Sequence, residues 1–124
     1  MRYGTLALAL AAALLAAGTD GALAGPATVE GVEVRQEPSG TWRFDVTVRH
    51  ADTGWDHYAN AFTVTTVDGA PLGTRTLFHP HVEEQPFTRS LNGVAIPDGV
   101  TEVLVRAVDS VHGEGEPVRV LLNQ

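Results

Sequence analysis

The chain has 124 residues, with 8 basic against 15 acidic side chains, five histidines, no cysteine and a formal net charge of −7. That length fits one domain and not two. The acidic balance excludes nucleic acid as a partner and disfavours anionic lipid, because both would repel it; the lack of thiols removes cysteine nucleophiles, zinc ribbons, blue-copper centres and thiolate-bound iron.

The first segment reads as an export signal. Arg2 is a positive start, Leu6 to Ala17 is an almost pure Ala/Leu run, and Ala22-Leu23-Ala24 is a small-x-small cleavage site. The run is too short to span a bilayer, and Gly18, Asp20 and Gly21 break it. No cysteine follows, so neither a cysteine-linked lipid nor any stable membrane anchor is expected. The expected organisation is a signal peptide over 1–24 and one domain over 25–124, periplasmic or secreted. Arg2 and Asp20 leave together, so the charge is unchanged. An exported domain of this size without disulfides must rest on its core.

From residue 28 onward, short alternating segments are separated by turn signals. Val32 and Val34 alternate with charges over Thr28 to Gln36, and Pro38-Ser39-Gly40 turns the chain. Trp42, Phe44, Val46 and Val48 then face one way, the period of a half-buried strand. Residues 50–56 are a loop, and a strand is expected from His57 to Val67. Asp68-Gly69 is a tight turn, returning through Leu72 to Phe78. The segment Phe78-His79-Pro80-His81-Val82-Glu83-Glu84-Gln85-Pro86 is a loop unlike ordinary turns. Phe87 to Leu91 is the next strand, with Phe87 expected in the core. Val103, Val105 and Ala107 define an inner face, while Leu104 and Val108 on the other side suggest a central strand covered on both sides. Val118, Val120 and Leu122 close the chain. Seven strands without helical periodicity predict an all-β fold, a seven-stranded antiparallel sandwich.

The stretch from Ile96 to Val108, followed by Gly113-Glu114-Gly115-Glu116-Pro117, resembles the last two strands of a fibronectin type III or immunoglobulin-like domain. Thr101 stands where the fibronectin type III pattern has tyrosine. The strings Gly54-Trp55-Asp56-His57-Tyr58-Ala59, His79-Pro80-His81-Val82, Glu84 to Leu91, and Asp109-Ser110-Val111-His112-Gly113 are similar to a group of small exported bacterial proteins of unknown function. That resemblance implies an exported sandwich and no particular activity.

Four histidines lie in three connections. His79 and His81 share a side if the chain is extended there, and Pro80 favours that geometry. In an immunoglobulin-like topology the loops carrying His57 and His112 lie at one end. If His79 and His81 join them, the four imidazoles form a metal site for Cu(II), Zn(II) or Ni(II), Cu or Zn first, with Asp56, Glu83 and Glu84 near. Without sulfur ligands, Cu(I) is disfavoured. The alternative is a metal-free module that docks on an envelope protein or small ligand through residues 79–89 and Trp55, with Glu83, Glu84 and Arg89 as a charged rim. Arg89, in mid-strand, needs a carboxylate partner. Asp52, Asp56 and Asn60 offer oxygens for Ca²⁺ without the spacing of a calcium loop. Asp109-Ser110-Val111-His112 has the letters of a hydrolase triad, but Asp109 and Ser110 fit turn caps better. The expectation is a binding domain and not an enzyme.

Overall fold

The strand Trp42–Arg49 shows how the sequence builds the fold: Trp42, Phe44, Val46 and Val48 are buried, and the residues between them face outward. The computed structural model describes residues 25–124; the signal peptide expected over 1–24 lies outside them. The strands are β1 Thr28–Gln36, β2 Trp42–Arg49, β3 Ala59–Thr66, β4 Pro71–Thr76, β5 Phe87–Val94, β6 Glu102–Asp109, β7 Gly113–Glu114 and β8 Val118–Leu121. All pair antiparallel, with no helix among the described residues. One sheet has the order β1-β2-β5. The other runs β4-β3-β6, with β7 and β8 both on the far side of β6. The inner faces bury Phe44, Val46, Phe62, Val64, Val103, Val105 and Phe87 in one core, as a sandwich requires.

There are eight strands where seven are expected, because the last strand is split. Gly113 and Glu114 pair with Asp109 and Val108, and pairing resumes at Val118. Between them Gly115 donates its N–H to Ala107 O at 2.8 Å and lies against the entering chain. A Cβ there would stand 2.2 Å from the carbonyl oxygen of Ala27, a residue fully buried in the core. Only glycine allows that approach. In a constant-type immunoglobulin domain the fourth strand sits on the other sheet; here β4 pairs with β3.

Some boundaries differ from expectation. The strand expected from His57 starts at Ala59, since residues 54–57 close a turn first. The strand expected to reach Phe78 ends at Thr76; Leu77 turns into the core and Phe78 is exposed. β6 is central, but no third layer of described residues covers its outer face. Leu104 is buried there between its register neighbours Thr65 and Arg119.

Register places three connections together. Val48 pairs with Phe87, Ala61 with Thr76, and Ala59 with Asp109. The end of β2, the ends of β4 and β6, and the starts of β3 and β5 therefore share one end of the sandwich. All five histidines belong to that end.

Candidate metal centre

The period-2 pattern continues past the apolar residues on both inner faces. Just past β2, His50 follows Val48 at the inward parity and is 3% exposed. On β6, Asp109 follows Ala107 and is 2% exposed. Since inner faces oppose each other, an imidazole and a carboxylate meet where the core ends.

His57 joins them through a tight turn. Thr53 N–H donates to His57 O at 3.0 Å, and His57 N–H donates to Gly54 O at 3.2 Å. Gly54 has φ +135°, a conformation that side chains resist, and it makes this turn possible. The ring centroids of His50 and His57 are then 4.7 Å apart.

His50 Nε2 is 3.3 Å from His57 Nε2 and 3.7 Å from Asp109 Oδ2, and His57 Nε2 is 3.2 Å from Asp109 Oδ1. Ligand atoms held tetrahedrally at about 2.0–2.1 Å from one zinc-like ion stand about 3.3–3.4 Å apart. The two imidazole nitrogens stand at that separation, each lies near one oxygen of Asp109, and one donor atom from each of the three residues lies within 4.8 Å of the others.

A buried carboxylate fixes the first imidazole. His50 Nδ1–H donates to Asp52 Oδ1 at 2.5 Å, leaving the Nε2 lone pair directed at His57 and Asp109. Ligating histidines commonly donate the other ring N–H to a carboxylate in this way. Asp52 also accepts the N–H groups of Ala59 at 3.0 Å and His81 at 2.7 Å. Asp109 accepts the N–H groups of Val111 at 2.8 Å and His112 at 2.6 Å, capping the turn. Burial pushes the Asp109 carboxyl up, but those N–H groups and the His112 ring outweigh it and hold it below its ordinary value of 3.8. Both carboxylates have no side-chain exposure, and among the described residues their ion-pair partners are histidines alone. Buried charges need compensation, and His50, His57 and Asp109 are a group that could hold a metal ion.

Among the histidines expected in a metal site, the structure brings His57 and His112 side by side, with ring centroids 5.0 Å apart. His112 Nδ1 lies 3.1 Å from Asp109 Oδ2, at the exposed mouth of the cluster. His79 and His81 form a separate pair, 5.1 Å between centroids. His81 is buried and stacks on Phe87 at 3.9 Å. Arg89 Nη2 donates to His81 Nε2 at 3.0 Å. An arginine only donates, so that nitrogen's lone pair is occupied and the ring proton sits on Nδ1, buried without an acceptor. Burial first, then Arg89 and His79, hold the His81 pKa below 6.5. Asp52 and Gln85 link this pair to the cluster.

Phe87 lies in the core as expected, and Arg89 finds Glu84 at 3.8 Å. Trp55 is exposed against the edge of Tyr58, and Asp56, Glu83 and Glu84 face solvent. Asp52 and Asp56 do not converge as a calcium loop: the first is buried under N–H donors, the second exposed. Ser110 Oγ accepts the N–H of Tyr58 at 3.1 Å. Sequence reasoning did not place His50 in the cluster; it offered Asp52 only as a calcium oxygen and Asp109 as a turn cap, the role its two N–H bonds show. The parity of His50 with Trp42, Phe44, Val46 and Val48, and of Asp109 with Val103, Val105 and Ala107, carries the signal.

No family model matches the chain. No solved structure matches it either. A curated protein of Halomicrobium mukohataei, named "Putative lipoprotein", is 46% identical to this chain over 72 residues, covering 58% of this chain and 35% of that protein. The chain therefore spans about a third of that relative's length.

Proposed function

We propose that this protein is an exported, non-enzymatic binding domain that holds one divalent transition metal where its two sheets end. The carrying observation is the convergence of His50 Nε2, His57 Nε2 and an Asp109 oxygen within 4.8 Å, beside buried carboxylates that, among the described residues, pair with no Arg. His112 stands at the mouth as a fourth ligand that an ion draws from Asp109 Oδ2. Nitrogen and oxygen donors without sulfur suit Cu(II) or Zn(II). His79 and His81 fall outside the ligand set, since Arg89 occupies His81. Export is supported by the apolar leader and by the name of the Halomicrobium relative.

Calorimetric titration of the purified protein with Cu²⁺ and Zn²⁺ tests this. The expectation is a single-site isotherm whose affinity falls below about pH 6, as the imidazoles protonate. Absence of heat with either metal overturns the reading.

A second reading is favoured by one observation. Trp55, Phe78, Val82 and Val111 are large, apolar and exposed, and all lie in the connections at the histidine end. Such residues suit a metal-free module docking on an envelope protein through 79–89. His79→Asn with His81→Asn would then weaken partner capture while leaving the response to metal unchanged.

A further inference from the structure

Asp52 is the junction between the candidate metal centre and the loop that links β4 to β5. Its Oδ1 accepts His50 Nδ1–H and the N–H of Ala59, and its Oδ2 accepts the N–H of His81. Gln85 adds a second tie: its Oε1 accepts the N–H of His50 at 2.9 Å and its Nε2 donates to His81 O at 2.9 Å. The residue that presents His50 to an ion therefore also anchors the loop 79–86, whose His79, Val82, Glu83 and Glu84 side chains face solvent.

We propose that Asp52, without touching the ion, positions His50 for metal binding and couples occupancy of the site to the order of the loop 79–86. The inference rests on the metal reading above. An ion on His50 Nε2 withdraws charge from the ring and strengthens the Nδ1–H donation to Asp52. Fixing Asp52 fixes the acceptor of His81 N–H. The converse holds by linkage: whatever orders the loop favours the metal-competent orientation of His50, and the two effects are equal in size. Asp52 is a positioning residue, distinct from the ligands His50, His57 and Asp109.

The test is hydrogen exchange on the full chain with and without Zn²⁺, beside Zn²⁺ calorimetry and Cu(II) electron paramagnetic resonance on the wild type and on Asp52→Asn. In the wild type, Zn²⁺ slows exchange at the amides of residues 81–85 as well as around 50–58 and 109–112. In D52N, affinity falls ~10–100-fold, the loss typical of an outer-shell partner. The number of coordinating nitrogens stays that of the wild type, and Zn²⁺ no longer protects 81–85. A purely structural role for Asp52 predicts unchanged affinity. That result, or wild-type protection confined to 50–58 and 109–112, overturns the proposal. The wild-type arm decides without any substitution, even if D52N does not fold. A wild type that takes up no Zn²⁺ overturns the metal reading and this inference together; one that binds while its loop is unmoved overturns this inference alone.

Discussion

Replacing Asp109 by Asn separates the fold from the ion. In the structure Asp109 Oδ1 accepts two backbone N–H groups, from Val111 and His112. The amide oxygen of Asn keeps both bonds, so the metal-free protein loses their charge assistance and the carboxylate's contacts with the His57 and His112 rings, about 1–3 kcal/mol, partly offset by removal of a buried charge. Metal binding responds differently, because a neutral amide is a poor substitute for a carboxylate between two imidazoles. At a metal concentration 100 times Kd the wild type gains about 2.7 kcal/mol. For a domain of about 100 residues each kcal/mol moves Tm by about 4–8 °C, so the expected rise is about 10–20 °C. If D109N binds ~100-fold more weakly, the same metal concentration equals its Kd, the gain drops to about 0.4 kcal/mol and the rise to about 2–3 °C. Scanning calorimetry of both proteins, with chelator and with Zn²⁺, reads all four values. The reasoning is refuted if D109N keeps the wild-type shift, or if the wild type shows none.

Further outcomes follow from the same geometry. Metal-free stability should fall toward acid for two reasons that add. The His81 pKa is lowered by burial, Arg89 and His79, so the unfolded chain binds its proton first; this contribution is complete above 6.5 and declines as pH drops below that value. The Asp109 pKa is lowered on balance by its N–H donors against burial, so its contribution holds above 3.8 and is lost as pH falls through the lower folded value; denaturant midpoints should hold above pH 6.5, decline below it and decline again below 3.8, and a rise between pH 6.5 and 5 would contradict the His81 assignment. Phe44→Ala empties a fully buried site between the sheets and should cost about 3–5 kcal/mol in urea unfolding; a loss under 1 kcal/mol would deny the shared core. Gly115→Ala drives a Cβ onto the Ala27 carbonyl oxygen and should cost about 1–3 kcal/mol, whereas a neutral result would mean that the entering chain does not lie there.

The fold was legible because its strands are written in alternation. Trp42 to Val48 and Val103 to Ala107 announce inner faces, and Asp68-Gly69 marks a turn in sequence as in structure. The short strand Gly113–Glu114 was not legible, since two residues carry no period and its pairing depends on Gly115 meeting Ala27. The site was half legible. Topology alone joins His57 and His112, and the structure has them adjacent. The conspicuous His79-Pro80-His81 string leads elsewhere: the loop folds back so that His81 stacks on Phe87 and meets Arg89, a tertiary arrangement that no local spacing encodes. His50, and the place of Asp109 beside it, escape notice for the opposite reason. A polar residue after an apolar run marks the end of a strand, yet both keep the inward parity and become core residues with donor atoms.

The most direct measurement is the anomalous diffraction of a crystal grown with Zn²⁺ and recorded at the zinc edge. The account predicts one strong peak about 2.0–2.2 Å from His50 Nε2, His57 Nε2 and an Asp109 oxygen, with His50 Nδ1 still on Asp52. A peak seated on His79 and His81, or a cluster without any peak at saturating Zn²⁺, would contradict it.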